Sequence, residues 1–253
     1  MIEEPIATGS SPIHRINPRL RILMAVFLSV ACALSRDMVV LPGYLVTALV
    51  LVALARIPLD LLLRRIRPLF WFVLMIWLIV PVTFSGDTLY QYKILVISRQ
   101  GVDLCLLVSL KSVSILMIFT ALIATMTVAT LGNGLHFLRV PDKMVFLLLM
   151  AYRYVDVIEN ECKRLLRAAK FRGFIPGTNV HSYRTYAYLA GMLFVRAATR
   201  ANRVYHAMIC RGFSGRFHTL DVYPPNRLNY IFLTLTLITG LALIGAELFG
   251  IPL

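Results

Sequence analysis

Uncharged apolar stretches alternate with basic ones along this chain, and five of the stretches approach the length of a membrane span. They run from Ile22 to Ser35, from Met38 to Ala55, from Pro68 to Gly86, within Ser112 to Leu138, and from Leu228 to Ala246. Arg21, Arg36, Arg67, Asp87, Lys111 and Arg139 mark their limits. A bilayer core takes about 20 helical residues, and fewer where flanking side chains snorkel to the headgroups. The first stretch, at 14 residues, is the shortest. Arg36-Asp37 predicts the tip of a tight hairpin between the first two helices.

Between Gly132 and Arg227 the pattern changes from continuous to periodic. After Pro141, which suits a first helical turn, apolar positions fall at Met144, Leu148, Ala151, Val155, Ile158, Cys162, Leu165 and Ala169. Spacings of four and three alternate throughout, the seam of a helix packed on another helix. Charged side chains lie off that seam, and Glu159 with Lys163 forms a favourable i,i+4 pair. Gly173 suits the left-handed residue after a helix. The loop 175–179 leads to a second seam at Ala187, Ala190, Phe194, Ala197, Ala201, Val204 and Met208, with Arg196, Arg200 and Arg203 as a separate basic stripe. Gly212 again follows the last turn, and Gly191 is a possible break. Alanine on the seam lets backbones approach closely, so the two helices are expected to cross or pair.

Composition agrees with several spans. Of 253 residues 59% are hydrophobic and 15% charged, and mean hydropathy is +0.78; soluble domains have about 45–50% apolar and 25% charged residues. Net charge is +14, which in a membrane protein fits loops facing anionic lipid better than nucleic acid. Basic residues near the span ends divide unevenly. Arg15, Arg19, Arg21, Arg56, Arg64, Arg65, Arg67, Arg139, Lys143, Arg211, Arg216 and Arg227 share one side; Arg36, Lys93, Arg99 and Lys111 share the other. This asymmetry puts the N-terminus and 132–227 in the cytoplasm and the C-terminus outside. Met1 to Arg19 carries Glu3 and Glu4 and lacks a basic n-region, so the first span is read as retained. The expected organisation is all-α: 1–131 with four transmembrane helices, 132–227 as a cytoplasmic module of long amphipathic helices, and 228–253 with a fifth span.

Each long helix ends in the same element, x-Arg-Gly-Phe: Phe171-Arg172-Gly173-Phe174 and Cys210-Arg211-Gly212-Phe213. One such ending reads as dipole compensation plus an ordinary glycine cap. Two, each after a seam, point to a repeated contact in which the planar guanidinium forks meet carboxylates on a partner.

These segments resemble the transmembrane (T) component of energy-coupling-factor transporters, whose members carry two Ala-Arg-Gly-like triplets at the ends of cytoplasmic coupling helices. The cobalt-type branch, CbiQ, is the nearest likeness. It shares His14-Arg15-Ile16-Asn17-Pro18-Arg19-Leu20, Arg153-Tyr154, Ala168-Ala169-Lys170-Phe171-Arg172-Gly173-Phe174, and the run from Ala207 to Phe217. Phe171 and Cys210 depart from the triplets' alanine. The resemblance implies that Phe171, Arg172 and Gly173 engage one ABC-type ATPase subunit, and Cys210, Arg211 and Gly212 a second. The membrane helices would hold a separate substrate-binding subunit. ATP-driven closure would bring Arg172 and Arg211 together, the two tips standing side by side. Cobalt ion is the implied substrate, with nickel or biotin as alternatives, because substrate choice would lie in another subunit.

Other chemistry is sparse. His206 and Cys210 are an i,i+4 pair with no evident third metal ligand. His14, His136, His181 and His218 are isolated. Tyr183, Tyr186 and Tyr188 beside Arg184 lack any surrounding RNA-binding motif. No P-loop is present, so ATP hydrolysis falls to partners, and no catalytic residue, cofactor or resident metal is expected. A lipid-acting membrane enzyme is the competing class, but Asp156, Glu159 and Glu161 have no histidine near them in sequence. Apart from His136, the apolar windows hold no Asp, Glu, Lys, Arg or His, whereas proton relays and ion-coupled carriers need such groups at membrane depth.

Overall fold

In the computed structural model, residues 11–83, 88–92, 95–213 and 227–249 are described. The readings of Glu3, Glu4, Asp87, Lys93, Arg216, His218 and the run 214–217 lie outside them. Among the described residues the chain is an all-α membrane protein apart from one short ribbon, and these residues divide into two compact units, 11–134 with 227–249, and 135–213.

In the first unit a 3-10 turn, Pro12–Arg15, leads to α1 (Pro18–Leu34). Asn17 caps α1, accepting from the Arg19 N–H at 3.1 Å, and Pro18 sits where its missing N–H costs nothing. Residues 35–40, which include Arg36-Asp37, turn the chain into α2 (Leu41–Ala55). After α3 (Leu59–Thr83), strands β1 (Thr88–Tyr92) and β2 (Leu95–Ser98) form an antiparallel ribbon that hydropathy gave no sign of. Next come α4 (Arg99–Leu122) and α5 (Val128–Phe137), and later α8 (Arg227–Phe249). Among the described residues, α4 and α8 are long and apolar enough to cross a bilayer, and α2 is a shorter apolar helix.

Helix α4 packs against α1, α2 and α3, and α8 against α1 and α2. The core joins Met24, Ala25 and Leu28 of α1, Ala48 and Leu51 of α2, Ile118 and Ala121 of α4, and Phe232 of α8. A second cluster gathers Cys32, Leu41, Tyr44 and Leu243. Close approach of α1 and α8 depends on Gly240, where a Cβ would lie 2.5 Å from the Phe27 ring. At one end of the unit, the Arg36 N–H donates to Glu247 Oε1 at 2.6 Å.

The fourth apolar window is not one helix. α4 begins at Arg99 and ends at Leu122, residues 123–127 leave the helical path, and α5 follows. Polar groups make the break. Thr125 Oγ1 donates back to the Ala121 carbonyl at 2.7 Å, and Thr127 Oγ1 accepts the Thr130 N–H at 3.2 Å. Lys111, expected to limit that window, lies mid-helix and donates from Nζ to the Ala33 carbonyl at the end of α1, at 2.8 Å.

Nor is this unit free of buried charge. Arg21, expected only to flank the first span, is 2% exposed. Its Nε donates to the Leu122 carbonyl at 3.1 Å and its terminal nitrogen to Thr125 Oγ1. A cation there meets the negative end of the α4 dipole and supplies donors to carbonyls the helix leaves open.

Candidate functional site at the tips of a crossed helix pair

The second unit is built on α6 (Asp142–Phe171) and α7 (Val180–Cys210). Proline caps α6 at position 141, one residue before the first turn where it was expected. Glu159 and Lys163 make the expected pair, at 2.5 Å. Helix α7 runs without interruption through Gly191.

Three contacts fix how the helices lie. Phe174, just beyond α6, meets Tyr186 near the start of α7 edge-on, ring centroids 5.5 Å apart. Midway, Glu161 receives a hydrogen bond from Arg196. At the far side Phe146, early in α6, meets Phe213, just beyond α7, at 5.4 Å. The helices are antiparallel and cross near Glu161. Open grooves of similar size, about 460 and 470 Å³, flank the crossing. Leu165, Ala169, Leu189 and Met192 line the first; Met150, Ile158, Ala201 and Val204 line the second.

A crossing closes a seam only locally. Leu165 is buried, whereas Met144, Val155 and Ile158 of the same predicted seam are exposed. In α7 the predicted seam is wrong in its first half. Phe194 is 82% exposed, and Ala187 and Ala190 are exposed with it, while Leu189 and Leu193 are half-buried instead. Heptad spacing presumes helices that supercoil around one another; helices that cross and diverge drift out of that register.

The two tips are built alike. After α6, the Gly173 N–H donates to the Lys170 carbonyl at 3.0 Å and the Phe174 N–H to the Ala169 carbonyl at 3.1 Å. After α7, the Gly212 N–H donates to Ile209 at 2.9 Å and the Phe213 N–H to Met208 at 3.0 Å. Both are Schellman motifs, with the glycine left-handed at φ +83° and +79°. A Cβ on either glycine would meet nothing within 4 Å, so the requirement is conformational. The turn sends each phenylalanine back onto the opposite helix and leaves the arginine exposed. Phe171 is 91% exposed and Cys210 is exposed too.

Arg172 and Arg211 do not stand side by side. Arg172 lies at the Phe174–Tyr186 end and Arg211 at the Phe146–Phe213 end, separated by about 39 Å of helix axis. A seam makes two helices neighbours without saying whether their C-termini coincide; an eight-residue loop, 172–179, returns the chain antiparallel.

Sequence reasoning missed three features. Phe174 and Phe213 were visible as the repeated fourth residue of x-Arg-Gly-Phe, but not as the side chains that seat each tip. Glu161 gave no signal, its partner being 35 positions away. The basic stripe on α7 is partly turned inward, since Arg196 and Arg200 both reach Glu161. Its carboxyl is held below the usual carboxylate range, first by the Arg196 hydrogen bond and then by the charges of Arg196, Arg164 and Arg200, against some desolvation. His206 and Cys210 are exposed on α7, with no third ligand among the described residues.

A family profile described as "Cobalt transport protein", CbiQ, matches residues 9–220, a range that holds both arginine tips. The chain belongs to the CbiQ family. CbiQ-like relatives extend over the same length. An energy-coupling factor transporter transmembrane protein EcfT from Acidaminococcus fermentans is 29% identical over 220 residues, 82% of this chain and 81% of the relative. EcfT of Bacillus subtilis is 26% identical over 227 residues, 85% of each. EcfT of Streptococcus equi is 26% identical over 254 residues, 96% of this chain and 91% of the relative. This CbiQ-family chain is thus a transmembrane component of an energy-coupling-factor transporter, a membrane subunit with a non-catalytic role.

Proposed function

We propose that this chain is the coupling subunit of an ATP-driven importer of cobalt ion. Arg172-Gly173 and Arg211-Gly212 each engage one of two ABC-type ATPase subunits, with Phe171 and Cys210 at the contact margin. The helices of the first unit hold a separate substrate-binding membrane protein. The observation that carries this reading is duplication: one backbone turn, presenting one exposed arginine, recurs at opposite ends of a crossed helix pair. Two identical plugs at opposite ends fit two copies of one kind of socket. Nucleotide-driven approach of the ATPases then draws together the far ends of the crossed helices.

The excess of basic residues on one side of the spans supports an inner-membrane protein with its N-terminus and the 132–227 module in the cytoplasm. Cobalt is favoured over nickel and biotin by the description of the matching family profile.

Affinity capture tests the reading. Truncating one partner of a buried charged contact costs about 2–5 kcal/mol, so Arg172→Glu and Arg211→Glu each weaken capture of the ATPase subunits, and the double variant abolishes it. Normal capture and uptake by the double variant would sink the proposal. Uptake of radioactive cobalt, nickel and biotin by cells carrying the complete transporter decides the substrate.

A further inference from the structure

The crossing of α6 and α7 is held by an unusual charge arrangement. Glu161 puts one carboxylate among three guanidinium groups: Arg196 hydrogen-bonds to it, Arg164 approaches to 3.9 Å and Arg200 to 4.0 Å. The Glu161 side chain is 14% exposed, whereas the three arginines are 43–71% exposed. The acid is inside the crossing and the cations surround it. Removing the carboxylate would leave two arginines of α7 and one of α6 converging on a site with no anion.

Its position along the helices is equally specific. Glu161 precedes Arg172 by 11 residues on α6, and its hydrogen-bond partner Arg196 precedes Arg211 by 15 on α7 (161 to 172, 196 to 211). The Arg172 tip therefore stands about 16 Å of helix axis from the cluster, and the Arg211 tip about 23 Å. On either side of it the helices diverge into grooves of nearly equal volume.

We propose that Glu161 is a positioning residue for energy coupling, the fulcrum that Arg196, Arg200 and Arg164 clamp so that displacement of one arginine tip is delivered to the other end of the crossed pair. The inference rests on the coupling role proposed above. With the fulcrum intact, α6 and α7 move as levers about one pivot. Without it, each helix follows its own ATPase, and the motion is dissipated as sliding at the crossing. Glu161 touches neither ATPase nor substrate in this scheme, so its loss separates ATP hydrolysis from transport.

The test uses the complete transporter in proteoliposomes, measuring ATPase capture, ATP hydrolysis and cobalt uptake for each variant. Glu161→Gln should keep capture and hydrolysis and lower the uptake per ATP hydrolysed by about tenfold. The double exchange Glu161→Arg with Arg196→Glu moves the acid to α7 and again surrounds it with three arginines. It should restore most of the lost ratio, which a purely local packing defect would not allow. A normal ratio in Glu161→Gln overturns the inference, as does a double exchange no better than Glu161→Arg alone. Loss of ATPase capture in Glu161→Gln overturns it too, because the residue would then serve assembly. If the wild-type chain itself fails to capture ATPase subunits, the coupling role fails and not the fulcrum alone.

Discussion

Phe213 rests on Phe146, ring centroids 5.4 Å apart and planes inclined by 31°, so the residue that follows the α7 tip is anchored on the opposite helix. An aromatic pair contributes about 0.5–1.5 kcal/mol beyond the area it buries. Phe213→Ala should therefore loosen the Arg211 tip by about 1 kcal/mol, or roughly fivefold in affinity for its ATPase. Capture by a chain carrying Arg172→Glu, which leaves only the Arg211 tip, reads this directly. Phe174→Ala in an Arg211→Glu chain should act the same way through Tyr186.

One substitution at three glycines should give effects of opposite sign. Gly173→Ala and Gly212→Ala force an L-residue into the left-handed region at a cost of about 1–2 kcal/mol each. Gly191→Ala, inside α7 with open space where the methyl would go, should gain roughly 0.5–1 kcal/mol. Thermal unfolding in detergent compares the three, and a stabilising Gly173→Ala would contradict the left-handed turn.

Acid should open the crossing late. Glu161 titrates below its ordinary value, so the clamp is fully present above the unfolded-state glutamate pKa of about 4.3 and is lost as pH falls through the lower folded-state value. The charged groups facing it are Arg164, Arg196 and Arg200. Spin labels on α6 and α7 should report a constant separation down to about pH 4.3 and widening below it. Glu161→Gln should show the wide separation at every pH.

Arg21 should be hard to replace. Arg21→Met leaves the Leu122 carbonyl and Thr125 hydroxyl without this donor in a buried place, a loss of about 2–3 kcal/mol. Arg21→Lys retains the charge but lacks the fork that reaches both acceptors. The melting temperature should fall for Met more than for Lys. An unchanged melt in Arg21→Met would show that the α4 terminus has another source of closure.

What could be read in advance divides by the range of the interaction. Helix α6 and its glycine end were legible because seam, cap and i,i+4 pair all lie within a few residues of one another. The break at 123–127 was not, because hydropathy sums cannot see that Thr125 and Thr127 redirect hydrogen bonds, or that Arg21 arrives from a distant helix to close α4. The face of α7 was misassigned for a related reason. Alanine at 187 and 190 and Phe194 obey heptad spacing, but two rods that cross touch at one place, and the place is decided by Glu161 and Arg196. Each tip was predicted from its own four residues; their opposition required knowing the direction in which α7 returns.

The tips owe their form to main-chain hydrogen bonds and a glycine, not to the side chain that opens each triplet. That explains how phenylalanine at 171 and cysteine at 210 can occupy equivalent places although they share neither size nor chemistry: both project outward from a scaffold that does not consult them. Such a plug is interchangeable hardware. Its outermost residue can be altered to adjust grip on a particular motor, while the shape that enters the socket stays the same.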